Sequence, residues 1–161
     1  MDKIAFGGGC HWCTEAIFQS LKGVARVEQG WVSSTLADAT TPSEAVIVHF
    51  DALLVSLEIL VEIHLFTHNA TSNHNFRKKY RSAVYTFSQR QELEAEKILG
   101  EKQKLFKKIL VTKVYPFGEF RLNDEQYLNY YKRNPKKPFC TVRIEPKLKI
   151  LLEQYKNHIN F

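Results

Sequence analysis

Three consecutive glycines, Gly7-Gly8-Gly9, separate the apolar run Ile4-Ala5-Phe6 from the segment Cys10-His11-Trp12-Cys13. Glycine adopts left-handed backbone angles without steric cost and lets another group approach the chain closely. The triplet therefore reads as a tight, backbone-exposing turn between a strand and a helix. Cys13, Ile17 and Leu21 have helical spacing, and Gly23 supplies the stop. This arrangement delivers Cys10 to the first turn of a helix.

A thiol at a helix start faces unpaired backbone N–H groups and the positive end of the helix dipole, both of which favour the thiolate. An ordinary thiol with a pKa near 8.5 is about 3% ionised at pH 7, whereas one near 6 is about 90% ionised. Cys13 lies one turn further on, and Cα atoms three residues apart in a helix are about 5 Å from each other, inside the bridging range. The residues alone leave three readings of this CxxC: buried structural thiols, a soft-metal ligand pair, or a nucleophile with a resolving thiol. The third cysteine, Cys140, completes a set of three, which argues against a structural disulfide framework.

Further along, extended patterns cover Val24 to Val32, Ala45 to Phe50, Arg81 to Phe87 and Ile109 to Tyr115, the last ended by Pro116. Leu57, Leu60, Val61, His64 and Leu65 mark one face of a helix capped by Ser56. Ser88 with Gln91 opens a helix running to about Leu105, and Asn123 with Gln126 predicts another carrying Tyr127, Tyr130 and Tyr131. Pro146 begins a last helix with Leu148, Leu151, Leu152 and Tyr155 on one face, and Pro138-Phe139-Cys140 before it reads as a loop. Strands interleaved with helices predict an α+β fold, a mixed or antiparallel sheet sandwiched against helices, with a parallel α/β arrangement left open by pattern alone. At 161 residues with 44% apolar side chains and no linker-like stretch, residues 1–161 are expected to form a single domain.

The most apolar stretch, Leu53 to Phe66, is broken by Ser56, Glu58, Glu62 and His64, so no run approaches the roughly 20 apolar residues of a membrane span. The N-terminus reaches its glycines before any apolar signal centre, and the expected compartment is cytoplasmic. Residues 101–161 hold 14 Lys/Arg against 6 Asp/Glu, a basic third read as solvated surface, with an acidic partner as the functional alternative. No zinc-finger spacing or RNP-like pattern points to nucleic acid. His64, His68 and His74 together with the CxxC match no zinc spacing, and no metal is expected.

Gly8-Gly9-Cys10-His11-Trp12-Cys13-Thr14-Glu15-Ala16 resembles the active-site segment of the peptide methionine sulfoxide reductase A family, usually G-C-F-W-x-x-E. The likeness continues in order through Leu21-Lys22-Gly23-Val24, Ser43-Glu44-Ala45-Val46, His68-Asn69-Ala70-Thr71, Tyr80-Arg81-Ser82-Ala83-Val84-Tyr85, Tyr130 to Pro135, Pro138-Phe139-Cys140 and Pro146-Lys147-Leu148. The resemblance implies a fold related to the ferredoxin-like plait. It also implies reduction of methionine S-sulfoxide, free or in proteins, through a sulfenic acid on Cys10, with thioredoxin as reductant and no cofactor. Trp12 and Trp31 would line the substrate pocket, and Tyr80 would hydrogen-bond the sulfoxide oxygen. Cys13 is the favoured resolving thiol and Cys140 the alternative.

The chain departs from the family pattern at several positions. His11 replaces the family phenylalanine, Gly30-Trp31 replaces Gly-Tyr, and Asn75 stands where an aspartate is usual. The family segment bearing the glutamate that protonates the sulfoxide oxygen reads as shortened and rewritten over Ser33 to Ser43, which leaves that acid unassigned. Histidines are the substitutes, His11 first and then His68 or His74. The rival readings are a divergent member with lost or altered activity and a CxxC metal-binding or interaction module.

Overall fold

A computed structural model describes residues 1–74, 76–77 and 79–160. Strand β1 (Asp2–Gly7) leads through the glycine turn into helix α1 (His11–Gln19), followed by β2 (Val24–Ser34) and β3 (Ser43–Phe50). Helix α2 (Leu57–Thr67), β4 (Ala83–Thr86), α3 (Gln89–Lys102) and β5 (Lys113–Leu122) complete the central part, and short α4 (Tyr130–Arg133) and α5 (Glu145–Gln154) close the chain. The strands run β1-β3-β2-β5-β4, and β4 pairs back onto β1, so the mixed sheet closes into a five-stranded barrel. Among the described residues only β4 and β5 pair in parallel. The expected α+β arrangement is present, with barrel closure added to it.

Alternation along the strands divides the core. Ile4, Phe6, Val46, Val48 and Val84 pack beneath α1, α2 and α5. Ala5, Ala45, Ile47, Ala83, Tyr85 and Tyr115 fill a smaller cluster on the opposite face. Two helix starts are capped as their sequences specify: Ser56 Oγ accepts from the Ile59 N–H at 3.2 Å, and Ser88 Oγ from the Gln91 N–H at 3.1 Å.

Three expectations are corrected. Pro116 does not end its strand; β5 runs through it, and Pro116 sits opposite Thr86, the last residue of β4. A residue without an N–H fits where pairing to one neighbour stops, and the strand continues paired to β2 from Phe117. The helix expected from Asn123 is reduced to a 3₁₀ turn at Glu125–Tyr127 and the four-residue α4, because Asn123 is buried and its amide is engaged elsewhere. Finally, Cys140 is not in a loop: Cys140–Ile144 forms a π-helical turn leading directly into α5, with Cys140 fully buried.

Candidate active site

The turn after β1 is built on Gly8, which has φ of +149°, and a Cβ there would lie 2.5 Å from the His68 ring. Both conformation and space restrict the position to glycine. The turn places Cys10 at the N-cap of α1, where its carbonyl accepts from the Cys13 and Thr14 N–H groups and no side chain caps the helix. The Trp12 N–H, left free at the helix start, hydrogen-bonds the Cys10 sulfur and favours its thiolate.

That local effect is overridden. The thiol of Cys13, burial and the charge of Glu44 all push Cys10 up, the hydrogen bond to Cys13 most of all. Cys13 moves down, chiefly because Cys10 hydrogen-bonds it and further because Lys147 and Arg143 lie nearby. The two thiols thus titrate as one unit, the first proton leaving more readily than from an ordinary thiol and the second less readily. The expectation of a lowered Cys10 in isolation is corrected to a lowered pair. Of the two, Cys10 is half-buried and Cys13 buried.

Cys10 and Cys13 open onto a cavity of about 570 Å³, lined also by Gly8, Gly9, His74, Phe76, Tyr80, Phe139, Arg143 and Lys147. Among the described residues no acidic side chain lines it. The C-terminal segment folds back over α1 and brings Phe139 to the cavity wall, with Cys140 close enough to Cys13 to feel its charge. Burial holds the Cys140 thiol up and hence neutral.

Trp12 lies behind this wall. Its indole stacks on Tyr130 with centroids 4.0 Å apart and meets Phe139 edge-on at 5.3 Å, and its buried Nε1 has no partner. Trp31 is likewise set back, with its ring edge-on to His11 at 5.1 Å and under the Arg121 guanidinium at 4.2 Å. Tyr80 is half-buried on the cavity, and Lys79 beside it hydrogen-bonds Tyr80 and lies 3.6 Å from Glu44 Oε2, both of which hold the lysine up.

His11 faces away from the cavity. Its ring is buried, with Nδ1 2.9 Å from the Gly30 carbonyl and Nε2 3.2 Å from Glu44 Oε1. Burial pulls His11 below its ordinary value against the opposing effect of Glu44. His64 and His68 stack beneath the glycine turn with centroids 4.1 Å apart, while His74 sits on the cavity, so the three do not converge on one point. Among the described residues no group of three or more His, Cys, Asp or Glu is placed to hold a metal ion. Asn75 lies outside the described residues.

The residue missed in the sequence is Glu44. It is the second residue of β3, is 5% exposed, and its Oε1 accepts from the N–H of His11, the residue after Cys10, at 3.3 Å. The available signal was the block Ser43-Glu44-Ala45-Val46, a carboxylate at the head of an otherwise apolar strand. Asn123 is a second missed residue: its Nδ2 donates to Gln29 Oε1 at 2.7 Å and lies 3.3 Å from His11 Nε2.

A family model for peptide methionine sulfoxide reductase matches residues 2–159. The peptide methionine sulfoxide reductase MsrA of Deinococcus radiodurans is 32% identical, over 96% of this chain and 82% of that protein. The fold is similar to that of reduced Mxr1 from Saccharomyces cerevisiae, with a TM-score of 0.74 and 22% identity over 86% of this chain and 88% of that one. It is also similar to Mxr1 in complex with Trx2, at a TM-score of 0.64 and 20% identity over 78% and 82% of the two chains.

Proposed function

The chain belongs to the peptide methionine sulfoxide reductase family, thiol-dependent oxidoreductases that reduce methionine sulfoxide to methionine, and from that premise we propose how its own residues carry out the reaction. Cys10 is the nucleophile. It is the more exposed of two coupled thiols that line a 570 Å³ cavity, and this is the observation that carries the assignment. The Cys10 thiolate attacks the sulfoxide sulfur of the S epimer while the sulfoxide oxygen takes a proton. Methionine leaves as the thioether and the oxygen remains on Cys10 as a sulfenic acid. Two electrons have then passed from the cysteine sulfur to the methionine sulfur.

Glu44, which does not line the cavity but is near enough for its charge to act on Cys10, is the acid assigned to supply the proton, and Tyr80 on the cavity hydrogen-bonds the oxygen as it gains charge. The two flank Lys79, which touches both. Phe76, Tyr80 and Phe139 form the apolar wall for the methyl group, with Trp12 backing Phe139 and Trp31 backing His11. A second thiol then displaces water from the sulfenic acid to form a disulfide, Cys13 being favoured because it already hydrogen-bonds Cys10. Thioredoxin restores the dithiol, a reading supported by the likeness to Mxr1 bound to Trx2. Three free thiols suit a reducing, cytoplasmic compartment. No helix among the described residues is long and apolar enough to cross a membrane.

The test is methionine release from a methionine S-sulfoxide peptide by the full chain and by Cys10→Ser. Undiminished release by the variant overturns the assignment.

A further inference from the structure

Arg143 and Lys147 line the same cavity as Cys10 and Cys13, and the reaction described above gives neither of them a contact with substrate. Arg143 belongs to the π-helical turn Cys140–Ile144 and Lys147 to the start of α5. Each lies one residue ahead of a buried anchor, Ile144 and Leu148, and the anchors hold this edge of the segment against the core. Lys147 is half-buried over the glycine turn, its Nζ 3.9 Å from the place of a Cβ on Gly9. Arg143 is exposed and stands at the cavity's open edge.

The basic side chains that meet carboxylates are elsewhere: Lys79 on Glu44, Lys102 on Glu58 and Glu62, and Arg26 on Glu28. Among the described residues no carboxylate lies within ion-pair distance of Arg143 or Lys147, and none lines the cavity. Glu145, between them in sequence, lines a separate groove with Tyr131 and Lys149. Two like charges set side by side without an acid repel each other, and an anion placed between them relieves the repulsion. Methionine sulfoxide is itself uncharged, so an anion at this position comes from what flanks it in the substrate. The exposed Lys132, Arg133, Lys136 and Lys137 precede Phe139 of the cavity wall, so the basic third of the chain continues outward from the same opening.

We propose that Arg143 and Lys147 form a carboxylate subsite on the active-site cavity, which selects methionine sulfoxide residues that have an aspartate or glutamate beside them in the substrate chain. The planar guanidinium of Arg143 can hold a carboxylate through two parallel N–H donors, and Lys147 adds a point charge closer to the glycine turn. The inference rests on Cys10 reducing methionine sulfoxide in this cavity.

The experiment measures kcat/KM, with dithiothreitol as reductant, for blocked peptides in which methionine S-sulfoxide is preceded or followed by aspartate, each paired with its asparagine counterpart. A third pair, acetyl-methionine S-sulfoxide with a free carboxylate and as its N-methylamide, reports on a carboxylate borne by the methionine itself. The parent is expected to prefer at least one aspartate peptide by about tenfold. Arg143→Gln should reduce this ratio to about threefold, and Arg143→Gln with Lys147→Gln should bring it within about twofold of unity. Any slowing through the Cys13 thiol falls on both members of a pair and cancels in the ratio. Lys149→Gln removes the same charge from the same helix outside the cavity and should leave the ratio unchanged. A parent ratio near one, a preference confined to the third pair, or an equal loss in Lys149→Gln overturns the proposal. If the parent reduces no peptide, the reading of the site fails. Calorimetric binding of the aspartate and asparagine peptides to the same protein then decides the subsite, with about tenfold tighter binding of aspartate expected and equal binding overturning it.

Discussion

Arg77 Nη1 donates to the carbonyl oxygens of both Gly8 and Tyr80, each at 2.9 Å. The same guanidinium reaches the carbonyls of Ser72 and Asn69, so one half-buried side chain ties the glycine turn that presents Cys10 to the segment that presents Tyr80. A planar group with five donors can hold four carbonyls at fixed angles, whereas an ammonium cannot. Arg77→Ala is expected to cost about 1–3 kcal/mol of stability and to lower kcat/KM by at least about tenfold, with Arg77→Lys recovering little of either. Thermal unfolding and peptide sulfoxide kinetics on the three proteins check this.

Glu44→Gln keeps the shape of the side chain and removes its transferable proton. A general acid is worth about 10² to 10⁴ in rate, and single-turnover methionine release is expected to fall by that factor. Alkylation of Cys10 by a neutral thiol reagent needs no acid and should remain within about threefold of the parent. Retention of full turnover would remove Glu44 from the mechanism.

Resolution of the sulfenic acid is expected to occur at Cys13. Peptide mapping after one equivalent of sulfoxide, without reductant, should show a Cys10–Cys13 crosslink, and Cys13→Ser should stop thioredoxin-driven turnover after one cycle. Cys140, fully buried and next to Cys13, is the competitor that the folded C-terminal segment supplies. A dominant Cys10–Cys140 crosslink would transfer the role to it.

His64 and His68 are both held below their ordinary value by burial, His68 at about 3. Unfolded histidine titrates near 6.5, so between about pH 6.5 and 3 the unfolded chain binds protons that the folded chain refuses. Stability is therefore full above about pH 6.5 and is lost as the pH falls, by up to about 1.4 kcal/mol per pH unit for each histidine. Urea unfolding from pH 7 to 5 should show this slope, and His64→Leu should remove about half of it.

Gly30→Ala would place a Cβ 2.0 Å from the Arg121 carbonyl oxygen, where β2 and β5 cross closely. The backbone of neither strand can yield without breaking the barrel ladder beside Trp31. A loss of about 3 kcal/mol is expected by chemical denaturation.

The local part of this protein is written in short stretches of its sequence. A glycine triplet before a helical pattern, Ser56 and Ser88 at helix starts, and apolar residues at helical spacing act over a few residues, and the turn, α1, α2 and α3 form where they indicate. Asn123 carried the same kind of capping signal and failed, because an amide buried against Gln29 and His11 outweighs a local cap. Pro116 failed as a strand stop because only the sheet order shows that one neighbour ends there.

The chemistry was divided in the same way. Cys10 and Cys13 were legible because the turn and helix that present them are contiguous in sequence. Glu44 was not, since a carboxylate in a strand looks solvent-facing until α1, 33 residues away in sequence, covers it and supplies the His11 N–H. Cys140 looked remote until α5 and the turn before it packed on α1. The ionisation of Cys10 followed suit: the helix start favours its thiolate, but burial and the neighbouring thiol of Cys13, acting over shorter distances in a low-dielectric interior, reverse the balance.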